Sequence, residues 1–305
     1  MRVFIYGAGR VGRSIGRALI ARPDSGLEVI GAWNRTFAAA LASSLVLDTP
    51  VSSGDLLPED FPRADVVLLT VVDDAVVETA RRLAPHLSRK QILLHTSGSL
   101  PSTVMAVDGM PASLGGCHPL QSLAARDGNP DLLHGATFAI EGDARGLEAA
   151  RALAAAVGGE AIALSDPASK VYYHAAAVVA ANYLTVLVDA AATLHAAAGI
   201  DARTSVRILA PLLRGTLDNL LAHAAEDSNL DGRAALASSL TGPVARGDAG
   251  TVVAHLNAIT RLAKKEPDAA DLPDLYRALL RRAIQMAERV HVDPEALAHL
   301  RKLGA

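Results

Sequence analysis

The stretch VFIYGAGRVGRSIGRAL, Val3 to Leu19, decides how the rest of the chain is read. An apolar run passes straight into GAGRVG, a G-x-G-x-x-G pattern at Gly7, Gly9 and Gly12 that also contains Arg10 and Val11. Beyond it, Val11, Ile15, Ala18 and Leu19 recur at helical spacing. A glycine triplet alone says little, but one that closes a strand and opens an amphipathic helix marks a dinucleotide-binding turn. Gly7 permits the tight turn, Gly9 lets backbone approach a pyrophosphate, and Gly12 lets helix and sheet pack closely. The free N–H groups and positive dipole end of that helix would receive the pyrophosphate.

Working outward, the runs VFIYG (3–7), LEVIGAW (27–33), DVVLLTVV (65–72), QILLHTS (91–97), ATFAIEG (136–142) and EAIALS (160–165) are short and mostly apolar. Such runs suit strands covered on both faces of a parallel sheet. Helical patterns lie between them, as in DDAVVETARRLAPHL (73–87), where Asp73 and Asp74 read either as paired catalytic carboxylates or, by preference, as N-caps. Alternation of this kind predicts a doubly wound α/β domain over residues 1–165. After SDPASK no strand is expected, so residues 166–305 form an all-α domain that opens with one long helix, about 167–198. GID at 199–201 supplies a glycine stop and a fresh N-cap.

Composition narrows the classes. The chain has 305 residues, half of them apolar, and a net charge of −3, which gives no basic surface for nucleic acid. A single cysteine, Cys117, excludes internal disulfides and fits a reducing compartment, so a cytoplasmic protein is expected. The first apolar run is too short for a signal-peptide core. AAAVVAANYLTVLV (175–188) is alanine-rich with polar flanks and reads as a buried helix, so no membrane partner is expected. A helix so apolar all round needs to be wrapped by protein, either within its own domain or between the subunits of a homodimer.

The cofactor is expected to be NADP(H). Where an NAD reader places a carboxylate, 22 residues after Gly12, this chain has Asn34, Arg35 and Thr36. An arginine between two small hydrogen-bonding side chains suits a 2′-phosphate, since a guanidinium bonds phosphate bidentately. Backbone at Val71 and Val72 is expected to line the same crevice. HTSGSL (95–100) follows a strand whose carboxyl end should face the ligand, bringing Ser97 and Ser99 near the nicotinamide. GGCHPLQSL (115–123) has no periodicity and reads as a loop that gathers a thiol, an imidazole and an amide. His118 there either handles a proton or pins the loop, Gln121 either orients substrate or bonds backbone, and Cys117 reads as a packer.

Taken together, GAGRVG, NRT, HTSGS, GCHPLQS, SKVYYHAAAVVAANY and TGPVARGD resemble the Rossmann-like proteins with a DUF2520 C-terminal domain. That group is similar to pyrroline-5-carboxylate reductases, ketopantoate reductases and the 6-phosphogluconate dehydrogenase-like superfamily. The resemblance implies a second domain of the 6-phosphogluconate dehydrogenase C-terminal-like type, and an oxidoreductase. Prephenate dehydrogenases, more distantly similar, have a Gly-Ser element followed about twenty residues later by an HPM or HPI element. That parallel implies His118 as proton donor or polariser, with Ser97 as its partner. Related β-hydroxyacid dehydrogenases and ketopantoate reductases start the corresponding helix with a lysine, and an asparagine four residues on. Lys170 and His174 occupy those places here, which implies Lys170 as acid/base and His174 as its partner.

In the turn before a later helix, Arg246 is the residue expected to hold a substrate anion, and Asp248 to cap the helix. No histidines and carboxylates stand at metal-ligand spacing, so no metal is expected. The reaction expected is hydride transfer between NADP(H) and a C=O or C=N carbon of a small polar metabolite, in a cleft between the domains. The alternatives are an NADP-binding sensor or scaffold without catalysis, and NADPH-dependent reduction of a flavin-like acceptor.

Overall fold

The computed structural model describes residues 1–54, 57–58, 61–226, 232–290 and 292–305. It divides into two compact units, 1–181 and 182–305. The change from strands to helices falls near residue 165, but the first unit also keeps the opening helix of the second segment.

The first unit is built on eight strands: β1 (Arg2–Tyr6), β2 (Glu28–Asn34), β3 (Val51–Ser53), β4 (Val66–Leu69), β5 (Ile92–His95), β6 (Ser113–Pro119), β7 (Thr137–Gly142) and β8 (Glu160–Ala163). Their order is β3-β2-β1-β4-β5-β6-β7-β8. The first six run parallel, β7 lies antiparallel to β6, and β8 is parallel to β7. This is the doubly wound Rossmann-type sheet that the glycine turn predicts, extended by a reversed pair. Two strands were not expected, β3 and β6. The segment read as an aperiodic loop is strand from Ser113 to Pro119, because a strand with a neighbour on each side needs no alternation and tolerates glycine.

Helices α1 (Arg10–Ile20), α2 (Phe37–Leu47), α3 (Asp73–Leu83), α4 (Ala144–Ala156) and α5 (Lys170–Ala177) complete the unit. Alternate residues of β1 feed two cores. Val3 and Ile5 join Ile15 and Leu19 of α1 and Leu153 of α4 on one face, while Phe4 and Tyr6 join Phe61, Val76 and Leu83 on the other. Truncating one of these, Ile15 for instance, removes about 2–5 kcal/mol through lost contacts and the cavity left behind.

The second unit contains α6 (Tyr183–Ala197), α7 (Ala202–Glu226), α8 (Gly232–Ser238), α9 (Ala249–Ala263), α10 (Leu272–Ala287) and α11 (Pro294–Gly304). Its core is Val252 and Leu256 of α9, Leu280 and Ile284 of α10, and Leu297 and Leu300 of α11. The stop at GID is as expected: Gly199 has φ +80°, and Asp201 accepts from the Thr204 N–H. Asp248 caps α9 through the N–H and hydroxyl of Thr251.

The long helix differs from expectation in two ways. It begins with a 3-10 turn, Pro167–Ser169, and is interrupted by a π-helical segment, Val178–Asn182. It is also not a buried core helix of this chain. Lys170–Ala197 is long and apolar enough to cross a membrane by length and composition, and none of its most apolar part is buried. Its second half touches mainly α7, so Val186 and Leu187 stay exposed, as do Leu212, Leu217 and Leu221 on α7.

Candidate active site and dinucleotide cleft

The glycine turn has the form its sequence requires. Gly7 adopts φ +93°, a conformation side chains oppose, and α1 then starts at Arg10 with no side-chain cap and no acid in its first turn. A Cβ on Gly9 would meet only the Gly7 carbonyl, at 3.8 Å, and would otherwise fill the space in front of the helix. Gly12 is pressed against Thr70 Oγ1 and Ile5, which is the close helix–sheet contact expected of it. Three donors converge on the Ala8 carbonyl oxygen: Arg13 Nε at 3.1 Å, Asn34 Nδ2 at 3.2 Å and Ser43 Oγ at 2.9 Å. The turn is therefore held in shape by the protein's own side chains.

Beside it lies a cavity of about 450 Å³, whose lining includes Gly7, Gly9, Asn34, Arg35, Thr36, Val71 and Val72. Arg10 and Val11 do not line it; Arg10 is exposed, and Val11 packs on the core. The expectation for the β2 end divides. Arg35 is exposed, with no hydrogen bond among the described residues, and is available to an anion. Asn34 is not available in the same way, because Nδ2 serves Ala8 and Oδ1 is shielded by the Ser43 hydroxyl oxygen 3.0 Å away. Thr36 is the N-cap of α2, its Oγ1 accepting from the Ala39 N–H, which leaves only its hydroxyl proton for a ligand. An uncapped helix, a glycine-lined approach and a free guanidinium are the features that a phosphorylated dinucleotide requires.

Ser97 and Ser99 are both tied to one carboxylate. Both hydroxyls donate to Asp73 Oδ2 at 2.8 Å, and Ser97 Oγ also accepts from the N–H groups of Ser99 and Leu100. Ser97 is thus saturated and holds the shape of the HTSGS turn, which corrects its expected partnership with His118. Asp73 is correspondingly not an N-cap. The cap position is Val72, and the Asp73 carboxylate turns to the serines.

His118 sits near the end of β6 with Nδ1 2.9 Å from the Thr96 carbonyl oxygen. A carbonyl only accepts, so Nδ1 carries the proton and Nε2 is left with the lone pair. Burial pulls the imidazole below its ordinary pKa; the Thr96 bond and Asp73 oppose that pull, while His174 and Lys170 add to it. A Cβ on Gly98 would lie 2.9 Å from His118 Nε2 and against His174 Nδ1, so both imidazoles turn toward that glycine. On α5, Tyr173 and His174 lie within 6.0 and 5.7 Å of the His118 ring, centroid to centroid. Tyr173 Oη and His174 Nδ1 are buried polar atoms without a hydrogen-bond partner among the described residues. Burial pushes the Tyr173 phenol up to about 12.

Lys170 is completely buried, not poised at a surface. Its Nζ donates to Glu141 Oε1 at 3.0 Å, and Glu141 accepts in addition from the Ser102 N–H at 2.9 Å and the Ser102 hydroxyl at 2.7 Å. Burial lowers the ammonium's pKa, opposed by Glu141. Burial would raise the Glu141 pKa, but Lys170 and the Ser102 bonds together hold it below the usual carboxylate range. His95 completes the cluster. Its Nδ1 accepts from the Ser97 N–H, and Nε2 points toward Glu141 Oε1 at 3.9 Å, too far to bond. Burial, then Lys170, pull His95 down to about 4.

The structure therefore brings His118, Lys170 and His174 into one neighbourhood, and directs Lys170 to a carboxylate that the sequence reading missed. Glu141 and His95 could have been suspected, each being the one ionisable residue inside an apolar strand run. Gln121 bonds loop backbone at Leu132 and Ser122. Cys117 is buried against the Ala150 carbonyl, and burial raises its thiol to about 12. Arg246 belongs to the second unit, where it is exposed ahead of α9. No group of three metal-ligating side chains occurs among the described residues.

Comparison with known proteins agrees with this architecture. Residues 136–283 match the family described as Domain of unknown function (DUF2520). A candidate NADP oxidoreductase from Bacteroides fragilis aligns over 92% of this chain and 97% of its own, at 20% identity and a TM-score of 0.70. The Thermotoga maritima protein TM1727 aligns over 94% and 98%, at 23% identity and 0.66. A reductive aminase from Aspergillus terreus, solved with NADPH and ethyl levulinate, aligns over 99% and 98%, at 17% identity and 0.58. No curated protein matches the sequence.

Proposed function

We propose that this Rossmann-type protein, whose residues 136–283 match DUF2520, is an NADP(H)-dependent oxidoreductase acting on a C=O or C=N carbon of a small polar metabolite. The observation that carries the reading is His118. Its Nδ1 is anchored to Thr96, so the basic Nε2 is presented at the same carboxyl edge of the sheet as the uncapped α1. Names of fold relatives, such as the reductive aminase with NADPH, point the same way.

Bound NADPH would supply the hydride. His118 would move the proton: from Nε2 to the carbonyl oxygen or imine nitrogen in reduction, and back to Nε2 in oxidation. Because its pKa is depressed, the resting imidazole is the base, and reduction requires that it first take a proton from solvent. Lys170, tied to Glu141, would act as a fixed neighbour and not as the proton carrier. His174 and Tyr173 would hold polar atoms of the substrate. Arg35 would select the 2′-phosphate, with a bond from the Thr36 hydroxyl.

The apolar faces of α6 and α7 we assign to a second copy of the chain. Asp189, Arg214 and Asp218 interrupt them, and charges at such positions oppose insertion into lipid. Light scattering is expected to give twice the 31.6 kDa chain mass, and a detergent-dependent monomer would overturn that assignment. A cytoplasmic location goes with the single thiol.

The test combines binding with turnover. NADPH is expected to bind at least tenfold tighter than NADH, and Arg35→Ala to abolish the difference. NADPH oxidation is then screened against keto acids, cyclic imines and flavins with wild type and His118→Ala. The expected result is turnover on a keto acid or imine that falls about 10²–10⁴-fold in the variant. Binding without turnover on any acceptor would favour a sensor.

A further inference from the structure

We infer that Arg82 is the platform on which the purine base of the dinucleotide stacks, a role distinct from that of Arg35. The inference builds on the NADP(H) reading above and assigns a second residue to the same cavity.

Two guanidinium groups line that cavity, and they are held very differently. Arg35 ends β2 and is exposed. Arg82, in the last turn of α3, lies over the Trp33 ring at 5.3 Å from its centroid. Trp33 in turn is stacked on Tyr6, with centroids 4.2 Å apart and planes inclined by 16°. One carbonyl fastens two of these layers, since Arg82 Nη2 and Trp33 Nε1 each donate to Gly54 O at 3.1 Å. Tyr6, Trp33 and Arg82 thus form a pile whose outermost member borders the cavity.

A guanidinium fixed in this way is planar, weakly hydrated and able to stack on an aromatic face. Its inner side is already taken by an indole, so the next layer in the pile would be another aromatic plane. In a dinucleotide whose pyrophosphate meets α1 and whose ribose meets the end of β2, the aromatic group reaching this wall is the base. Stacking is indifferent to the 2′-phosphate, so Arg82 would contribute equally to every adenine-bearing ligand. Arg35 would contribute only to phosphorylated ones.

Calorimetric titration of the full chain with NADPH, NADH and 2′,5′-ADP separates the two roles. Arg82→Ala is expected to weaken all three about tenfold and to leave the NADPH-to-NADH preference unchanged. Trp33 is the sole tryptophan, so 2′,5′-ADP, which does not absorb its emission, should alter wild-type fluorescence and leave Arg82→Ala fluorescence unaltered. Arg82→Gln, which keeps an amide donor for Gly54, is expected to show the same binding loss should Arg82→Ala fail to fold. Affinities within twofold of wild type, or a loss confined to the phosphorylated ligands, would overturn the inference and leave the NADP(H) reading intact. Wild-type protein that binds neither NADPH nor NADH would overturn the reading itself.

Discussion

Gly116 and Glu141 stand opposite each other in the β6–β7 ladder, and the missing side chain of the first makes room for the carboxylate of the second. A Cβ at 116 would collide with Glu141 Oε1 and lie 2.6 Å from Lys170 Nζ. The second glycine of GGCHP is thus part of the ion-pair site, although it bears no functional group.

Gly116→Ala is therefore expected to destabilise the protein by about 1–3 kcal/mol through overpacking. Urea denaturation measures it, and a variant as stable as wild type would mean that the pair has room to spare.

Removing one member of the buried pair should cost more than removing both. Glu141→Gln leaves an ammonium without its carboxylate and is expected to cost about 3–5 kcal/mol. Adding Lys170→Met should recover most of that loss, since a well-packed apolar replacement of an ion pair is often close to neutral. A double variant no more stable than Glu141→Gln would show that Lys170 contributes something besides charge.

Acid should weaken the first unit early. His95 titrates at about 4 in the fold against 6.5 ordinarily, so between those values the unfolded chain binds the extra proton. The stability this supplies is complete above pH 6.5 and is lost as pH falls toward 4, on the order of 3 kcal/mol in all. His118, also depressed, acts in the same direction, and Glu141 adds its loss below 4.5. The urea midpoint should fall from pH 7 to pH 4.5, and His95→Asn should flatten the slope. A midpoint independent of pH in that range would contradict the buried neutral imidazole.

Cys117 should resist labelling. With the thiol buried and raised to about 12, alkylation by iodoacetamide at pH 8 is expected only as the protein unfolds. Labelling of folded protein at the rate of a free thiol would place Cys117 at an accessible surface.

Much of the fold was legible because local signals and the sheet agree. The glycine turn, the apolar runs and the cap residues Gly199, Asp201 and Asp248 each carry a local physical signature. β6 was not legible, since glycine and proline carry no strand signature and its pairing is set by neighbours far away in sequence. The site divides along the same line. Arg35 was singled out from its motif and His118 from a family resemblance, and they stand at the cavity wall and near the end of β6. The saturation of Ser97 by Asp73 and the anchoring of Lys170 by Glu141 depend on contacts across 24 and 29 residues, which no periodicity reveals.

The reversal of β7 has a consequence for how such a protein can diversify. Because β6 and β7 are zipped together from Gly115 through Pro119, the polypeptide joining them leaves and returns at one place. Residues could be inserted or deleted in that excursion without shifting Glu141 relative to Gly116. Such changes would be felt by α1, whose Arg13, Ser14 and Arg17 bond that segment, while the buried charges behind it remain in register.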